Sequence, residues 1–324
     1  MLIVQKFGGS SIADGDRLRR AAGICMRQRQ NGNEVVVVVS AMGDTTDLLA
    51  DRARVLGGKP SPREMDALIT TGEQQSAALL VMTMESLGIP AVSLAGWQAG
   101  IYTDCRYGDS DIRLIAPVRI REALSRGRVP VVTGFQGVCA AGDKTSLGRG
   151  GSDTTAVALA AALESDCCEI YTDVDGIYTA DPRQIPDAVK LSAIDYRDML
   201  ALAGAGSQVL HAKSVELAMA NSVVIHLLSS FNDAPGSQVR ALRDGSRPDF
   251  AGITRSRTSG EISLAGKAAD AAALSRAVLL LAAEGIEVLS GSVGDGRISV
   301  LVGEAEQPHA MQLLHREMIL GALK

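Results

Sequence analysis

Short continuous apolar runs end in glycine- or serine-rich turns and are followed by longer segments with helical periodicity. Residues 2–7 form the first run, and residues 34–40, with five consecutive valines, form the second. Runs of this length without alternation are typical of parallel strands that are buried on both faces. Because strands and helices alternate through about residue 230, the pattern predicts one large three-layer α/β domain with a mostly parallel sheet.

The same pattern predicts the other elements of this domain. Strands are expected at residues 91–94, 112–115 at a sheet edge, 129–133, 169–172 and 223–228. Helices are expected at residues 14–30, 66–88 with a kink or a new start near residue 70, 117–125 with Pro117 in the first position, 156–163, 191–203 and 209–220. Residues 232–248 are enriched in Asp, Pro, Gly, Ser and Arg, so we expect them to form a linker.

The C-terminal part has a different order of elements. Strands at 261–265, 286–290 and 297–302, with helices at 269–284 and 307–318, predict a compact β-α-β-β-α unit of the ferredoxin-like kind. A chain of 324 residues is long enough for two domains. We therefore expect domains at residues 1–240 and 241–324.

Composition narrows the class of protein. The chain is 46% hydrophobic, 21% charged and only 3% aromatic, with a net charge of −5, which favours a soluble protein and gives no electrostatic footprint for nucleic acid. Neither a signal segment nor a membrane span is expected. The five cysteines are odd in number and lack C-x-x-C spacing. They argue against a disulfide framework or a zinc site and for a reducing cytoplasm.

A glycine-rich turn that opens a helix is the strongest local signal. In TSLGRGGSDT at residues 145–154, the glycines permit positive φ and close approach of a ligand, and Ser152 or Asp153 is expected to cap the helix. The helix N-terminus would attract an anion. The fork of Arg149 suits a carboxylate or phosphate, and Asp153 suits an ammonium group or another cation. The pattern therefore indicates a zwitterion or a phosphate.

Four polar loops follow predicted strands, at residues 6–11, 40–46, 148–153 and 172–183. In a parallel sheet these loops would converge on one cleft with a lysine, two arginines and several backbone N–H groups. Such a layout suits phosphoryl transfer. The G-x-x-x-x-G-K-[ST] loop and the protein-kinase motifs are absent from the sequence.

Seven motifs in order carry a family resemblance. They are KFGGSS at 6–11, VSAMG at 39–43, TGEQ at 71–74, GWQAG at 96–100, GFQG at 134–137, the glycine-rich turn, and TDVDGIY at 172–178 with DPR at 181–183. Over roughly residues 1–240, this chain resembles the aspartokinases. The resemblance implies the amino-acid-kinase fold and a cytoplasmic enzyme that uses ATP and Mg²⁺, the metal being held mainly by the nucleotide phosphates. It also implies transfer of the γ-phosphoryl group to the side-chain carboxylate of L-aspartate. The product, 4-phospho-L-aspartate, leads to lysine, threonine and methionine.

The resemblance also implies roles for individual residues. Lys6 and Asp153 would be catalytic, with Asp153 orienting Lys6 or the substrate ammonium. Glu73 would bind the α-ammonium and Arg149 a carboxylate. The remaining aspartate-binding residues would be Ser40, Thr46 and Gly150, and ATP would contact Lys6, Phe7, Gly8, Gly9, Thr172, Asp173, Tyr178, Arg183 and Gln208. Since the acceptor carboxylate is already ionised at neutral pH, no general base is required.

Two departures from the family pattern stand out. Gln208 occupies the position of a lysine that reaches the nucleotide in many members, so we expect a weaker or different contact there. The tail provides about one ACT unit where two are common, and its loop GKAA at residues 266–269 lacks the usual Pro-Gly turn. We therefore expect the tail to support a homodimer or higher homo-oligomer rather than to sense lysine or threonine.

Two alternatives stay open at this point. One is a relative that phosphorylates glutamate, N-acetylglutamate, carbamate or a nucleotide; Glu73, Arg149 and Thr46 together favour a free amino acid. The other is a non-catalytic, effector-binding subunit. Lys6 and Asp153 argue against such a subunit, although Gln208 and the short tail leave it open. The effector, the oligomeric state and the involvement of a second subunit stay open as well.

Overall fold

The computed structural model describes residues 1–56, 58–256 and 258–322. The chain forms two compact units. Unit 1 comprises Met1–Asp175 and Ala220–Pro235, and unit 2 comprises Gly176–Met219 and Gly236–Lys324. The units divide the chain differently from the domain boundary expected between residues 240 and 241, which stays a prediction.

The elements are as follows. The strands are β1 (Leu2–Phe7), β2 (Glu34–Val39), β3 (Ala91–Leu94), β4 (Ile101–Thr103), β5 (Ile112–Ile115), β6 (Val129–Thr133), β7 (Gln136–Cys139), β8 (Lys144–Ser146), β9 (Cys167–Thr172), β10 (Ile177–Tyr178), β11 (Lys190–Leu191), β12 (Ala193–Ile194), β13 (Ile225–Ser229), β14 (Ser237–Val239), β15 (Gly252–Arg255), β16 (Glu261–Ala265), β17 (Val288–Gly294) and β18 (Arg297–Val302). The α-helices are α1 (Gly15–Gln30), α2 (Thr45–Val55), α3 (Pro62–Ile69), α4 (Thr71–Ser86), α5 (Val118–Ser125), α6 (Gly151–Leu163), α7 (Tyr196–Gly204), α8 (Ala212–Asn221), α9 (Ala271–Ala283) and α10 (Gln307–Leu314). Short 3₁₀ turns lie at Gly9–Ile12, Asp244–Ser246 and Leu320–Ala322, and a π-helical turn spans His315–Ile319.

Unit 1 is built on a parallel sheet with the strand order β13-β9-β1-β2-β6-β3. Phe7 of β1 packs in the apolar core that α1 and α4 form on one face of the sheet. Lys6, the preceding residue, points to the other face and pairs with Asp153 of α6, because successive side chains of a strand alternate. This arrangement confirms the predicted three-layer α/β class with a mostly parallel sheet.

A second sheet in unit 1, with the order β5-β4-β7-β8, was only partly expected. The sequence predicted β5 but missed the three other strands, which are three or four residues long. The parallel pairing of Thr103 with Cys139 brings Cys105 close, and Cys105 and Cys139 form a disulfide with a Cα–Cα distance of 5.2 Å. The cysteine count and spacing predicted no disulfide framework, and for this pair the prediction is wrong, since tertiary pairing rather than sequence spacing brings the two sulfurs together. The reducing cytoplasm stays a prediction.

Unit 2 contains an antiparallel sheet with the order β15-β16-β18-β17. Its apolar core includes residues of α9 and α10, as expected for a ferredoxin-like arrangement; β15 was not predicted. The core also holds Ala180 and Ile185, which come from a much earlier part of the chain. Unit 2 further contains the antiparallel pair β10-β11 and the parallel pair β12-β14.

Two expectations about single elements were wrong. The helix predicted at residues 191–203 is replaced by β11, β12 and the shorter α7, whose N-cap Asp195 accepts a hydrogen bond from the Arg197 N–H. The linker predicted at 232–248 contains β14. Among the described residues, no helix is both long and apolar enough to cross a membrane.

Candidate active site

The carboxyl ends of four strands lie at one edge of the parallel sheet. Phe7 is in register with Val39 of β2 and with Tyr171 of β9, and Val39 is in register with Thr133 of β6. The loops that follow these strands therefore leave the sheet together. This is where ligands bind in open α/β sheets.

A cavity of about 620 Å³ opens at this edge. Seven residues predicted to act on the acceptor or phosphoryl group line it, namely Lys6, Ser40, Thr46, Glu73, Arg149, Gly150 and Asp153. Gly9 of the predicted ATP loop lines it as well. The structure thus brings together residues that are up to 147 positions apart, between Lys6 and Asp153.

Lys6 and Asp153 form an ion pair on one wall of the cavity. The Nζ atom of Lys6 lies 2.6 Å from Oδ1 of Asp153, and both side chains are largely buried. Beside this pair the backbone is tightly packed, because a Cβ atom on Gly9 would lie 2.6 Å from the carbonyl oxygen of Ala41. Only glycine fits at this position. The loop after β1 can therefore pack directly against the loop after β2.

The helix α6 begins differently from the prediction. Its N-cap is Gly150, with φ of 68°, and in the described part of the chain no side chain caps it. Ser152 and Asp153 lie in the first helical turn and do not cap the helix. The left-handed conformation of Gly150 starts the helix at Gly151, one residue before Ser152. An uncapped helix N-terminus directed at a cavity favours a bound anion.

Glu73 is a buried carboxyl group on the cavity wall. It is 3% exposed, its Oε1 accepts a hydrogen bond of 3.1 Å from the Ala41 N–H, and its Oε2 has no hydrogen-bond partner among the described residues. Burial raises the pKa of Glu73 to about 7, against a smaller opposing effect of backbone hydrogen bonds. A buried carboxyl oxygen without a hydrogen-bond partner is energetically unfavourable, so binding of a cationic ligand beside it would be stabilising.

Arg149 lies on the same cavity and is exposed. It follows Gly148, whose φ is 71°, and precedes Gly150, so that two left-handed glycines present its side chain. Ser40 and Thr46, both half-buried, lie at the end of β2 and at the start of α2. The cavity therefore offers an anionic group, Glu73, and a cationic group, Arg149, as a zwitterion requires.

The residues predicted to bind the nucleotide divide between the units. In unit 1, the Gly8 N–H donates to the Tyr171 carbonyl oxygen (3.1 Å), which places Thr172 and Asp173 next to the loop after β1. In unit 2, Tyr178 lies on β10 and Arg183 forms a two-pronged ion pair with Asp181. Gln208, also in unit 2, is exposed. The nucleotide roles of all these residues, and of Phe7, stay predictions.

Several residues of the cavity wall were not assigned to the site from the sequence, and Phe135 and Asp66 are two of them. Phe135 adopts a φ of 68°, which is rare for a bulky residue. Its GFQG motif was noticed without a role for the ring. Asp66 also lines the cavity, but its only sequence signal was an acid in a predicted helix. Neither backbone strain nor burial of a helical acid can be read from a single sequence.

Comparison with known proteins agrees with this geometry. Residues 1–229 match the model of the amino acid kinase family. The aspartokinase of Mycolicibacterium smegmatis is 49% identical over 269 residues, covering 82% of this chain and 64% of that protein. The aspartokinase of Corynebacterium efficiens is 44% identical over 326 residues, covering 97% of this chain and 77% of that protein.

A solved structure extends the likeness to the fold. E. coli aspartokinase III, in complex with aspartate and ADP, superimposes with a TM-score of 0.85 over 98% of this chain and 100% of that chain, at 20% identity. The chain spans slightly less than two thirds of the length of the mycobacterial relatives. With the ordered motifs, the parallel sheet and the family match, this chain belongs to the aspartokinases within the amino acid kinase family.

Proposed function

We propose that this chain catalyses ATP-dependent phosphorylation of the side-chain carboxylate of L-aspartate. The observation that carries the proposal is the single cavity lined by the buried carboxyl of Glu73, the guanidinium of Arg149 and the Lys6–Asp153 ion pair. Aspartokinase relatives at 44–49% identity and a relative in complex with aspartate and ADP support it.

Recognition of aspartate follows from the charges of the cavity. The Glu73 carboxylate binds the α-ammonium group, and Arg149 binds the α-carboxylate through its planar fork. Ser40, Thr46 and the backbone of Gly150 complete the pocket. The side-chain carboxylate is then left to face the Lys6–Asp153 pair and the N-terminus of α6.

The reaction is a direct transfer. One oxygen of the aspartate side chain attacks the γ-phosphorus of ATP, and the bond between that phosphorus and the β–γ bridging oxygen breaks, so that ADP leaves. No proton moves, because the acceptor is already ionised. Lys6 neutralises charge on the transferred group, Asp153 orients Lys6, and the first-turn N–H groups of α6 add stabilisation.

We place the nucleotide on Phe7, Gly8, Gly9, Thr172 and Asp173. The further contacts proposed for it are Tyr178, Arg183 and Gln208. Mg²⁺ enters as part of the substrate, on the ATP phosphates. Since Arg183 is paired with Asp181, a phosphate would have to exchange with that carboxylate.

We also propose that the chain forms a homodimer through unit 2. Strand β17 is an edge strand with an exposed face, on which Leu289 and Val293 are 58% and 44% exposed, and Leu279 of α9 is 70% exposed. Exposed apolar side chains beside an unpaired strand edge favour association with a second copy. Light scattering should give twice the monomer mass, and a Val293→Asp variant should reduce it.

The decisive experiment is trapping of the product. The purified chain is incubated with ATP, Mg²⁺, L-aspartate and hydroxylamine, and the hydroxamate of the acyl phosphate is measured, with glutamate and N-acetylglutamate as parallel acceptors. We expect product with aspartate. Turnover of only another acceptor would replace the proposal with a different amino acid kinase, and no turnover with any acceptor would favour a non-catalytic subunit.

A further inference from the structure

Asp66 is a buried carboxylate that joins three segments of unit 1. It lies on α3, is 1% exposed and lines the cavity. Its Oδ2 accepts hydrogen bonds of 2.9 Å from the N–H groups of Gly108 and Ser146, and its Oδ1 accepts one of 2.6 Å from the Ser146 hydroxyl. Three donors offset much of the cost of burying a carboxylate.

Ser146 is held on both sides. Its N–H and hydroxyl donate to Asp66, and its carbonyl oxygen accepts from the Ser110 N–H at 2.8 Å. Ser146 is also the last residue of β8, three positions before Arg149. Its placement therefore sets where the segment that carries Arg149 leaves the sheet.

The loop on the other side of Asp66 touches the same segment. The Gly108 N–H donates to Asp66. The adjacent Asp109 packs closely on Gly148, since a Cβ atom on Gly148 would lie 2.5 Å from the Asp109 carboxylate. Asp66 thus holds the end of β8, which precedes Arg149, and also the loop of Gly108 and Asp109, which packs against Gly148. Both contacts lie within unit 1.

We propose that Asp66 is a positioning residue for the acceptor substrate, which holds Gly148–Gly150 so that Arg149 meets the α-carboxylate. This inference rests on the proposed function. We expect Asp66 to affect the binding of aspartate but not the binding of the nucleotide, because none of the three hydrogen bonds of Asp66 reaches the predicted nucleotide loops. A residue that merely supported the fold would affect both substrates or neither.

The test compares Asp66→Ala, Asp66→Asn and the control Glu64→Ala, an exposed acid on the same helix. A displaced Arg149 would bind the α-carboxylate less well. Asp66→Ala should therefore raise the Michaelis constant for aspartate by about tenfold or more and leave the Michaelis constant for MgATP unchanged. Asp66→Asn should restore most of the affinity, since the amide oxygen still accepts two N–H bonds and the Ser146 hydroxyl can turn to accept from the amide.

A second measurement separates this inference from the proposed function. Hydrogen exchange of backbone amides 145–151 should become faster in Asp66→Ala and stay unchanged in Glu64→Ala. If the wild-type enzyme is active and Asp66→Ala has an unchanged Michaelis constant for aspartate, the inference about Asp66 is overturned and the proposed function stands. If the wild-type chain turns over no acceptor, the proposed function fails, and the exchange rates decide: faster exchange supports positioning by Asp66, and unchanged exchange overturns it.

Discussion

At the scale of single residues, the Lys6–Asp153 pair illustrates how a charge is kept available for transfer chemistry. Lys6 is only 8% exposed, and burial of an unpaired ammonium would be unfavourable. Asp153, at 2.6 Å, offsets that cost and holds the amine at the end of β1. Loss of the amine would remove one preorganised donor from the transferred phosphoryl group.

We expect Lys6→Ala to lower kcat by about 10²–10³-fold, the effect of losing one such donor. The measurement is the hydroxamate assay at saturating substrates, with thermal unfolding to check the fold. Lys59→Ala, which removes an exposed lysine, serves as the control. Near-normal turnover of a folded Lys6→Ala protein would exclude Lys6 from the phosphoryl role.

Glu73 gives a prediction about pH. Burial raises its pKa to about 7, so part of the free protein carries a neutral Glu73 at neutral pH. Binding of the substrate ammonium needs the carboxylate, so a proton must leave when aspartate binds at lower pH. The affinity for aspartate should therefore fall as pH decreases, by roughly tenfold between the high-pH limit and pH 6 for one proton with this pKa.

The measurement is the dissociation constant of aspartate between pH 6 and pH 8.5, a range in which aspartate itself keeps its charges. Glu73→Gln should bind aspartate weakly and without this inflection. Glu85→Gln, an exposed acid on the same helix α4, should keep it. An affinity that is independent of pH in the wild type would contradict the role of Glu73.

Motif spacing identified several of the segments that line the cavity, because it shows which loops follow strands, and the roles of the residues in them stay predictions. It could not predict the pKa of Glu73 or the role of Asp66, since both depend on burial by segments distant in sequence. The capping roles predicted for Ser152 and Asp153 failed for a related reason. The conformation of Gly150, which decides where α6 begins, is permitted by its sequence but not required by it.

At the scale of elements, long apolar runs were predictable and short strands were not. β1, β2, β3 and β6 matched their predicted positions to within a residue because burial on both faces leaves a continuous apolar signal. β4, β7 and β8 are only three or four residues long and show no clear alternation of apolar and polar residues. Their pairing in the second sheet is a tertiary property, as is the disulfide that joins β7 to the segment after β4.

The disulfide gives a prediction at this scale. Cys105–Cys139 closes a loop with a sequence separation of 34 residues. Cross-linking a loop of this size restricts the unfolded chain, so reduction should lower the free energy of unfolding by about 2–4 kcal/mol. Urea unfolding with and without dithiothreitol measures this difference, and Cys105→Ser, at the exposed partner, should make the protein insensitive to the reductant.

A thiol count provides the independent check. The oxidised protein should show the three free thiols of Cys25, Cys167 and Cys168 after unfolding, and the reduced protein all five. Five thiols without prior reduction, together with equal stability in both buffers, would show that the pair is not bonded in solution.

At the scale of the whole molecule, the family motifs and the compact units follow different divisions of the chain. The motif TDVDGIY begins in unit 1 and ends in unit 2, because residues 176–219 group with the C-terminal residues. Motif order identifies the family without knowledge of packing. It does not reveal that Ala180 and Ile185 belong to the same apolar core as β16 and α9, which only the folded chain establishes.

Unit 2 contains the loop that is relevant to feedback inhibition by an amino acid. The loop at residues 266–269, in which the sequence lacks the Pro-Gly turn that the family resemblance implies for an effector site, is closely packed by its own unit. A Cβ atom on Gly266 would lie 2.1 Å from the Asp249 carbonyl oxygen, the Ala268 N–H donates to that oxygen, and Lys267 Nζ donates to the Arg247 carbonyl oxygen at 2.6 Å. The Gly266 and Ala268 N–H groups of this loop are therefore already paired with carbonyl oxygens of unit 2.

We therefore expect lysine and threonine, alone or together, to leave the initial rate of this 324-residue chain unchanged, and methionine likewise. Added ADP, a product, should inhibit and shows that the assay detects inhibition. Calorimetry with each amino acid tests binding without reference to activity. Saturable inhibition by lysine or threonine that Lys267→Ala alters would contradict the prediction, because it would require the 247–250 segment to leave the loop when the effector binds.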